Sequence, residues 1–329
     1  MPELGNLVTM FAVYAAEPNP ESPLDALRVG EQPDPQAPDG WVAVSVRAAS
    51  LNMHDLWTLR GVGIKAEQFP MILGCDGAGV LSDGAEVVVH GVIGDTAFGD
   101  ETFDPKRSLL TEKHQGSFAD TVIVPARNVL PKPASLSFAE AACMGTAWLT
   151  AYRMLFSRSG LRPGQTMLVQ GASGGVATAL VALGKAAGMR VWVTGRSEEK
   201  RALATSLGAD ETFSSGARLP ERVDAVFETV GKATWGHSMR SVRPGGTIVV
   251  SGSTSGPDAN ADLQRLFFMQ IRVVGSMMGN RDELADLLAF CSLQGIRPTI
   301  GTELPMTEAK DGFEQMLAGE TAGKIVFTR

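Results

Sequence analysis

Residues 167–200 read MLVQGASGGVATALVALGKAAGMRVWVTGRSEEK. Met167, Leu168 and Val169 form an apolar run without alternation, the pattern of a strand buried on both faces. Gly171, Gly174 and Gly175 follow at once. Val176, Leu180, Leu183 and Ala187 then recur at helical spacing, and Gly188 closes the helix. Arg190 to Thr194 make a second buried strand. The order predicts a βαβ unit whose glycines let backbone approach a pyrophosphate at the N-terminus of a helix.

The turn reads Ala172-x-Gly174-x-x-Ala177, which departs from G-x-G-x-x-G at its first glycine and ends in the tolerated alanine. A tight strand-to-helix turn of this kind also forms with no ligand. The second turn adds chemistry. NAD sites place an acid after the second strand to hold the ribose hydroxyls. Here that place is Gly195-Arg196-Ser197, with Lys200 one helical turn further on. A guanidinium holds a 2′-phosphate bidentately, where an acid would repel it. Cations are poorly placed at the positive end of a helix unless an anion is near. The residues therefore favour NADPH over NADH, with a solvated basic helix start as the plainer alternative.

The 329 residues suit two domains, and 44% hydrophobic with 20% charged content is ordinary for a globular chain. A formal charge of −7 gives no electrostatic support to a nucleic-acid or anionic-membrane partner. The opening MPELGNLVTMFAVYAAEP has no basic leader region, and no segment approaches the ~20 apolar residues of a membrane span. A soluble, cytoplasmic protein is expected. Cys75, Cys143 and Cys291 are scattered, with no C-x-x-C and no paired framework, so neither a disulfide scaffold nor a cysteine-rich zinc site is available.

Residues 1–9 read as an extension before a first strand near Met10. The proline-rich stretch from Glu31 to Gly40 is the most linker-like. Trp41 to Ala49 alternates as a half-buried antiparallel strand does. A polar-studded turn and short helix follow, then Phe69 to Leu81, where Gly74, Gly77 and Gly79 permit tight packing. Glu86 to His90 and Ser117 to Val124 are strands, with an irregular charged loop from Asp95 to Gln115 between them. A helix is expected over Ser137 to Phe156, with Ser137 and Glu140 forming a capping box. Beyond the nucleotide unit, Val223–Phe227, Thr247–Val250 and Ile271–Gly275 continue a β-α-β rhythm, which implies a parallel doubly wound sheet. The helices at Arg281–Leu293 and Thr307–Leu317 and the strand Lys324–Phe327 have no place in that filled sheet and should return to the first domain.

These residues resemble the medium-chain dehydrogenase/reductase superfamily, and within it quinone oxidoreductase-like members that carry the name zinc-binding dehydrogenase. The segments that carry the likeness run from SLNMHDLWTLRG, ILGCDGAGV and GSFADTVIVPARNVLPKPASLSFAEAA through LTAYRML, LVQGASGGVA and VTGRSEEKRALATSLGAD. They continue with FETVGKATW, RPGGTIVVSG, LFFMQIRVVGSMMG and GKIVF, so the likeness spans nearly the whole chain from Met10. It implies an α/β fold: a doubly wound parallel Rossmann domain over 130–278, plus a β-rich GroES-like catalytic domain over 1–129 completed by 279–329.

In the zinc alcohol dehydrogenases of this superfamily the catalytic ligands would fall on Asn52, Cys75 and Thr146 of this chain. Asn and Thr are poor zinc ligands, and one thiolate cannot hold the ion. The four-cysteine structural loop would lie between Gly94 and Gly116, which contains no cysteine. The resemblance thus implies a zinc-free relative. An alcohol needs a Lewis acid to stabilise its alkoxide, whereas a quinone or α,β-unsaturated carbonyl is already electrophilic. Such a substrate needs a held geometry and a hydrogen bond to the developing oxyanion.

The resemblance makes Asn52 the first choice for that donor, although an Asn also caps its own turn. His54 falls where zinc enzymes carry a relay hydroxyl, and its ordinary pKa suits proton delivery near neutrality, against a purely structural role. Asp55 is expected to fix the turn. Cys75 and Asp76 either line the cleft or, for Cys75, pack as a small buried residue. Trp57, Trp148, Phe267 and Phe268 either wall an aromatic slot or belong to the core. For the cofactor, Ser173, Gly174, Gly175, Val176 and Ala177 should meet the pyrophosphate, and Arg196, Ser197 and Lys200 the 2′-phosphate. Thr150 matches a threonine beside the nicotinamide, and Val230, Gly252 and Ser253 follow strand ends on the ligand-bearing edge. A tyrosine that relatives carry near Ser215 is missing. The reading is an NADPH-dependent quinone or enone reductase acting on a small molecule, and by resemblance a homodimer. A zinc-independent alcohol dehydrogenase and a cofactor-binding protein with little catalysis are the alternatives.

Overall fold

The computed structural model describes residues 8–329, so the extension expected over 1–9 falls almost wholly outside the described residues. The chain forms two compact units. One runs through Thr146 and resumes at Asn280–Ser292 and Ile300–Arg329; the other is Ala147–Gly279 with Leu293–Thr299.

In the first unit β1 (Thr9–Ala15) pairs antiparallel with β2 (Leu27–Pro33). The linker-like reading of Glu31 to Gly40 is therefore corrected at its start, because Glu31–Pro33 lie in an edge strand. An edge strand tolerates a proline that cannot donate to a ladder. β3 (Trp41–Ser50) leads to α1 (Met53–Leu59), β4 (Met71–Ile72), β5 (Gly77–Val80) and β6 (Glu86–Val89). Then come β7 (Val92–Ile93), β8 (Ser108–Leu109), β9 (Thr121–Pro125) and β10 (Val129–Pro131). Gly79 lets β5 lie flat on β3, since a Cβ there would fall 2.1 Å from the Ser45 carbonyl oxygen.

α2 (Phe138–Ala142) starts at the expected Ser137–Glu140 capping box and packs on β3 and β5. Those contacts, with the pairing of β10 on β6, carry the first unit past residue 129, where the sequence put its end, to Thr146. The single helix expected from Ser137 to Phe156 is also interrupted. Met144–Trp148 and Arg153–Arg158 are π-turns flanking α3 (Leu149–Tyr152).

The second unit holds β11 (Thr166–Gln170), α4 (Gly175–Ala186), β12 (Arg190–Gly195), α5 (Glu198–Ser206) and β13 (Glu211–Ser214). It continues with β14 (Val223–Glu228), α6 (Lys232–Ser241), β15 (Val242–Val250), α7 (Leu263–Phe268) and β16 (Arg272–Gly275). The six strands are parallel in the order β13-β12-β11-β14-β15-β16, which is the doubly wound dinucleotide-binding order. Every residue of β11 is buried, as its unbroken apolar run requires. Gly245 and Gly246 fall inside β15 rather than before it, where the register against β14 shifts. α4 closes on the sheet because Gly184 has no side chain: a Cβ would lie 2.6 Å from Met167 Sδ.

α8 (Arg281–Gln294), β17 (Ile300–Pro305), α9 (Ala309–Ala318) and β18 (Lys324–Thr328) follow. β18 pairs antiparallel with β3 and parallel with β17, extending the sheet β10-β6-β5-β3-β18-β17. Phe118, Phe313 and Phe327 meet in its core, with Phe118 and Phe327 edge to face at 5.1 Å. Among the described residues no helix is long and apolar enough to cross a membrane.

Candidate active site

β11 ends at Gln170, and Gly171 turns the chain at φ +90°. Gly174 is the N-cap of α4; no side chain caps the helix, and a Cβ there would meet nothing within 4 Å. The first-turn amides of Gly175, Val176 and Ala177 thus point their dipole at open space, the arrangement that accepts an anionic group. Ser173 stands at the rim. At the end of β12 no carboxylate stands where a ribose would be held. Arg196 is exposed and forms no ion pair among the described residues, while Ser197 caps α5 by accepting from the Lys200 amide at 3.3 Å. Glu198 and Glu199 occupy the first turn of α5 and partly balance its dipole, a compensation the sequence reading passed over.

Beneath these turns lies a buried polar frame. Thr194 Oγ1 donates to Gln170 Oε1 at 2.6 Å, and Gln170 Nε2 donates to His237 Nδ1 at 2.8 Å and Ser238 Oγ at 3.0 Å. Ser238 Oγ donates to Glu228 at 2.6 Å, and Glu228 also accepts from the amides of Val230 and Gly231 at 2.8 and 3.0 Å. The ends of β11, β12 and β14 are locked together. The signal for these residues was a polar side chain closing each apolar strand. At the strand ends Ser253 packs against Gly231, Ser255 donates its amide to the Val230 carbonyl at 2.7 Å and Gly252 passes close to Thr229. Thr150 is buried on α3 and joins none of these bonds. Trp148 is core, but Phe267 and Phe268 are 67% and 77% exposed on α7, which corrects the core alternative for that pair.

In the first unit α1 begins at Asn52. Asp55 accepts from the Asn52 amide at 2.9 Å and the Gly74 amide at 2.8 Å, so it fixes the turn as expected. Burial pushes its carboxyl up to about 7 even though both amides pull the other way. The Asn52 carboxamide is itself enclosed. Its Oδ1 accepts from Lys324 Nζ at 2.6 Å; its Nδ2 donates to Asp76 Oδ2 at 2.8 Å and the Ser50 carbonyl at 3.1 Å, with Cys75 Sγ at 3.6 Å. Both amide hydrogens have acceptors inside the protein, so the expected outward donation from Asn52 is corrected to an anchoring role.

Lys324, only 3% exposed, also donates to the Leu51 carbonyl at 2.8 Å and lies 3.7 Å from Asp76 Oδ2. It is the residue the sequence reading missed; a lysine heading the otherwise apolar KIVF strand was the signal. Asp76 Oδ2 accepts further from Ser50 Oγ at 2.7 Å, and its Oδ1 has no partner.

Cys75 is fully buried. Burial first, then the charges of Asp55 and Asp76, raise its thiol well above the ordinary value. Its Sγ lies 3.3 Å from the hydroxyl of partly exposed Thr146, on the first π-turn. Gly145 beside it lets this turn approach, because a Cβ would fall 2.8 Å from Asp76 Oδ1. π-turns recur at functional sites.

His54 bonds to the Leu110 backbone, its Nε2 has no partner, and Glu112 Oε1 stands 3.9 Å away, beyond hydrogen-bond range. Burial lowers its pKa from the ordinary value on which the expected proton delivery rests. Trp57 is half-buried on α1.

Residues 38–134 match the alcohol dehydrogenase GroES-like domain, and residues 175–292 match the zinc-binding dehydrogenase domain. The chain belongs to the medium-chain dehydrogenase/reductase superfamily.

Superfamily relatives cover nearly all of it. The crotonyl-CoA carboxylase/reductase of Cereibacter sphaeroides is 29% identical over 94% of this chain and 85% of its own. The acryloyl-coenzyme A reductase of Metallosphaera sedula is 28% identical over 91% and 96%. A solved NAD-dependent alcohol dehydrogenase superposes with a TM-score of 0.90 at 29% identity, covering 97% of this chain and 100% of that one. A crotonyl-CoA carboxylase/reductase solved in complex with NADP shares the fold, at a TM-score of 0.89 and 24% identity over 97% and 95%.

The superfamily's zinc does not fit the residues present. A catalytic zinc wants three N, O or S ligands with an open position. Here the carboxamide at the first ligand position is bound to an ammonium, the second position is a buried thiol, and the third is a hydroxyl. Among the described residues no group of three His, Cys, Asp or Glu could hold a metal. The loop that carries a structural zinc in superfamily enzymes is held otherwise. Asp104 accepts from the amides of Asp95 and Lys106, each at 2.8 Å, and buried Glu101 binds His90 at 3.1 Å and the Arg281 amide at 2.8 Å. The loop expected to be irregular is thus pinned by its own acids.

Proposed function

We propose that this chain is a metal-independent, NADPH-dependent reductase of an electron-poor double bond, an α,β-unsaturated carbonyl or a quinone. The observation that carries the reading is the Asn52–Asp76–Lys324 cluster at the zinc-ligand position, where a buried ammonium and a carboxylate are matched to each other through a carboxamide and, among the described residues, no group of three metal ligands is found. An alcohol gains little from such a site, because its alkoxide is not stabilised before hydride leaves. A conjugated carbonyl gains most, because its oxygen becomes negative only as hydride arrives. The crotonyl-CoA and acryloyl-CoA reductase relatives bear names of this reaction class and support it.

NADPH, when bound, supplies the hydride. The open amides from Gly174 to Ala177 suit its pyrophosphate, with Ser173 at the rim. Unpaired Arg196, with Ser197 and Lys200, suits the 2′-phosphate. Val230, Gly252 and Ser253, held by the Glu228 frame, and Thr150 are assigned to the rest of the cofactor.

The test is oxidation of NADPH, with NADH in parallel, against quinones, enones and enoyl-CoA thioesters, with simple alcohols assayed in reverse. Turnover of the conjugated electrophiles with NADPH is expected. Turnover of alcohols alone would replace the proposal with an alcohol dehydrogenase. Tight NADPH binding with no turnover of any substrate would replace it with a cofactor-binding protein.

A further inference from the structure

We propose that Thr146 is the hydrogen-bond donor to the developing oxyanion, held beside Cys75 at the edge of the Lys324–Asn52–Asp76 cluster. The inference rests on the reductase reading and names the group that reading leaves open.

It follows from counting donors in the cluster. Lys324 has only donors, and two of them are taken by the Leu51 carbonyl and Asn52 Oδ1 while the third side faces Asp76. An ammonium beside a carboxamide fixes which end is oxygen, so Nδ2 must face Asp76 and Ser50, with Cys75 Sγ at 3.6 Å on the same side. The Ser50 hydroxyl is spent on Asp76 Oδ2. Asn52 therefore cannot turn outward without leaving an ammonium and a carboxylate unmatched.

Cys75 stays a thiol, as its burial requires, and thus has one hydrogen to place. Its sulfur faces the Asn52 donor on one side and Thr146 Oγ1, 3.3 Å away, on the other. Either atom of that pair can donate, so the thiol S–H can fill an acceptor position of the hydroxyl when the hydroxyl hydrogen turns to a substrate oxygen. The Thr146 O–H sits on a partly exposed residue at a π-turn and can turn outward. Among the described residues it is the cluster's one donor on a side chain that is not buried. The hydride pair forms a new C–H bond at the far carbon of the conjugated double bond, the C=C pair shifts to form the enolate double bond, the carbonyl π pair moves onto oxygen, and the Thr146 hydroxyl stabilises that oxygen without giving up its proton. Solvent supplies the proton that completes the product.

The experiment compares wild type, Thr146→Val, Thr146→Ser and Cys75→Ala on the electrophile that wild type reduces. NADPH affinity is titrated by fluorescence, and folding is checked by thermal melting. Thr146→Val should lower kcat by roughly 10²-fold, the cost of one oxyanion donor, with NADPH affinity unchanged. Thr146→Ser should restore most of the rate. Cys75→Ala keeps the hydroxyl but frees it to rotate, and should cost only about fivefold; it also serves as the second probe if the valine variant melts early. Thr146→Val within about threefold of wild type would overturn the assignment, as would a Cys75→Ala loss as deep as the valine loss. If wild type turns over alcohols alone, the reductase reading falls and takes this one with it. If wild type reduces the electrophile, only the Thr146 assignment is at stake.

Discussion

At the start of α4 the backbone amides have no side-chain acceptor, whereas around Asn52 nearly every donor has one. The first arrangement leaves donors open to an anion of the kind proposed above. The second is already closed, with an ammonium and a carboxylate held out of water against each other. A cofactor that comes and goes is served by unmet donors on an exposed turn. A reacting oxygen is served by a surround that does not rearrange when charge develops.

The contrast breaks most visibly at Lys324. Lys324→Met leaves Asp76 buried without its cation, and one-sided removal of a buried pair costs about 3–5 kcal/mol. Chemical denaturation should show that loss; a change under about 1 kcal/mol would mean water already screens the pair. Next is Arg196→Ala, which removes charge-assisted bonds worth about 2 kcal/mol. NADPH should bind roughly 30-fold more weakly while NADH changes within about twofold, and equal losses for both would sink the 2′-phosphate assignment.

Two glycines sharpen the comparison directly. Gly145→Ala drives a methyl onto Asp76 Oδ1 and the Val89 carbonyl, and overpacking of this kind costs about 1–3 kcal/mol. Gly174→Ala meets nothing and should alter stability by less than about 0.5 kcal/mol while weakening NADPH, because the methyl stands where the pyrophosphate is expected.

The smallest effect belongs to the half-exposed Asp120. Against the upward push of burial, the Arg329 hydrogen bond, the Phe11 amide and the Arg329 charge draw its carboxyl below the ordinary range. A depressed carboxylate stabilises the fold above its unfolded value of 3.8, and that contribution fades as pH falls through the lower folded value. Solvent limits it to less than about 1 kcal/mol. Melting curves at pH 6 and pH 3 should show the gap between wild type and Asp120→Asn narrowing at the lower pH.

The second unit was the more legible from sequence. Its signals are local: apolar runs such as Met167–Val169, the glycine turn and the Arg196 turn lie within 34 consecutive residues. What was missed there, the frame of Gln170, Thr194, Ser238 and Glu228, joins residues far apart along the chain. In the first unit the chemistry is almost wholly non-local. Asn52 reads as a donor in its own segment, and only the pairing of β18 with β3 reveals Lys324 beside it. The π-turn at Thr146 was hidden because π and α segments share the same propensities; Gly145 packing on Asp76 is a tertiary cause. His54 carried an ordinary pKa in isolation and a lowered one once buried.

The bond from Lys324 to Asn52 spans 272 residues. During synthesis, the strands that surround Asn52 emerge first, followed by the whole six-stranded second unit, and only then β18. At roughly 5–20 residues per second the ammonium arrives many seconds after the carboxylate it balances. Until then Asp76 must stay hydrated or protonated, so the first unit should remain loosely packed on the ribosome while the second folds. The unit proposed to carry the reacting oxygen is therefore the one that chaperones would meet unfinished.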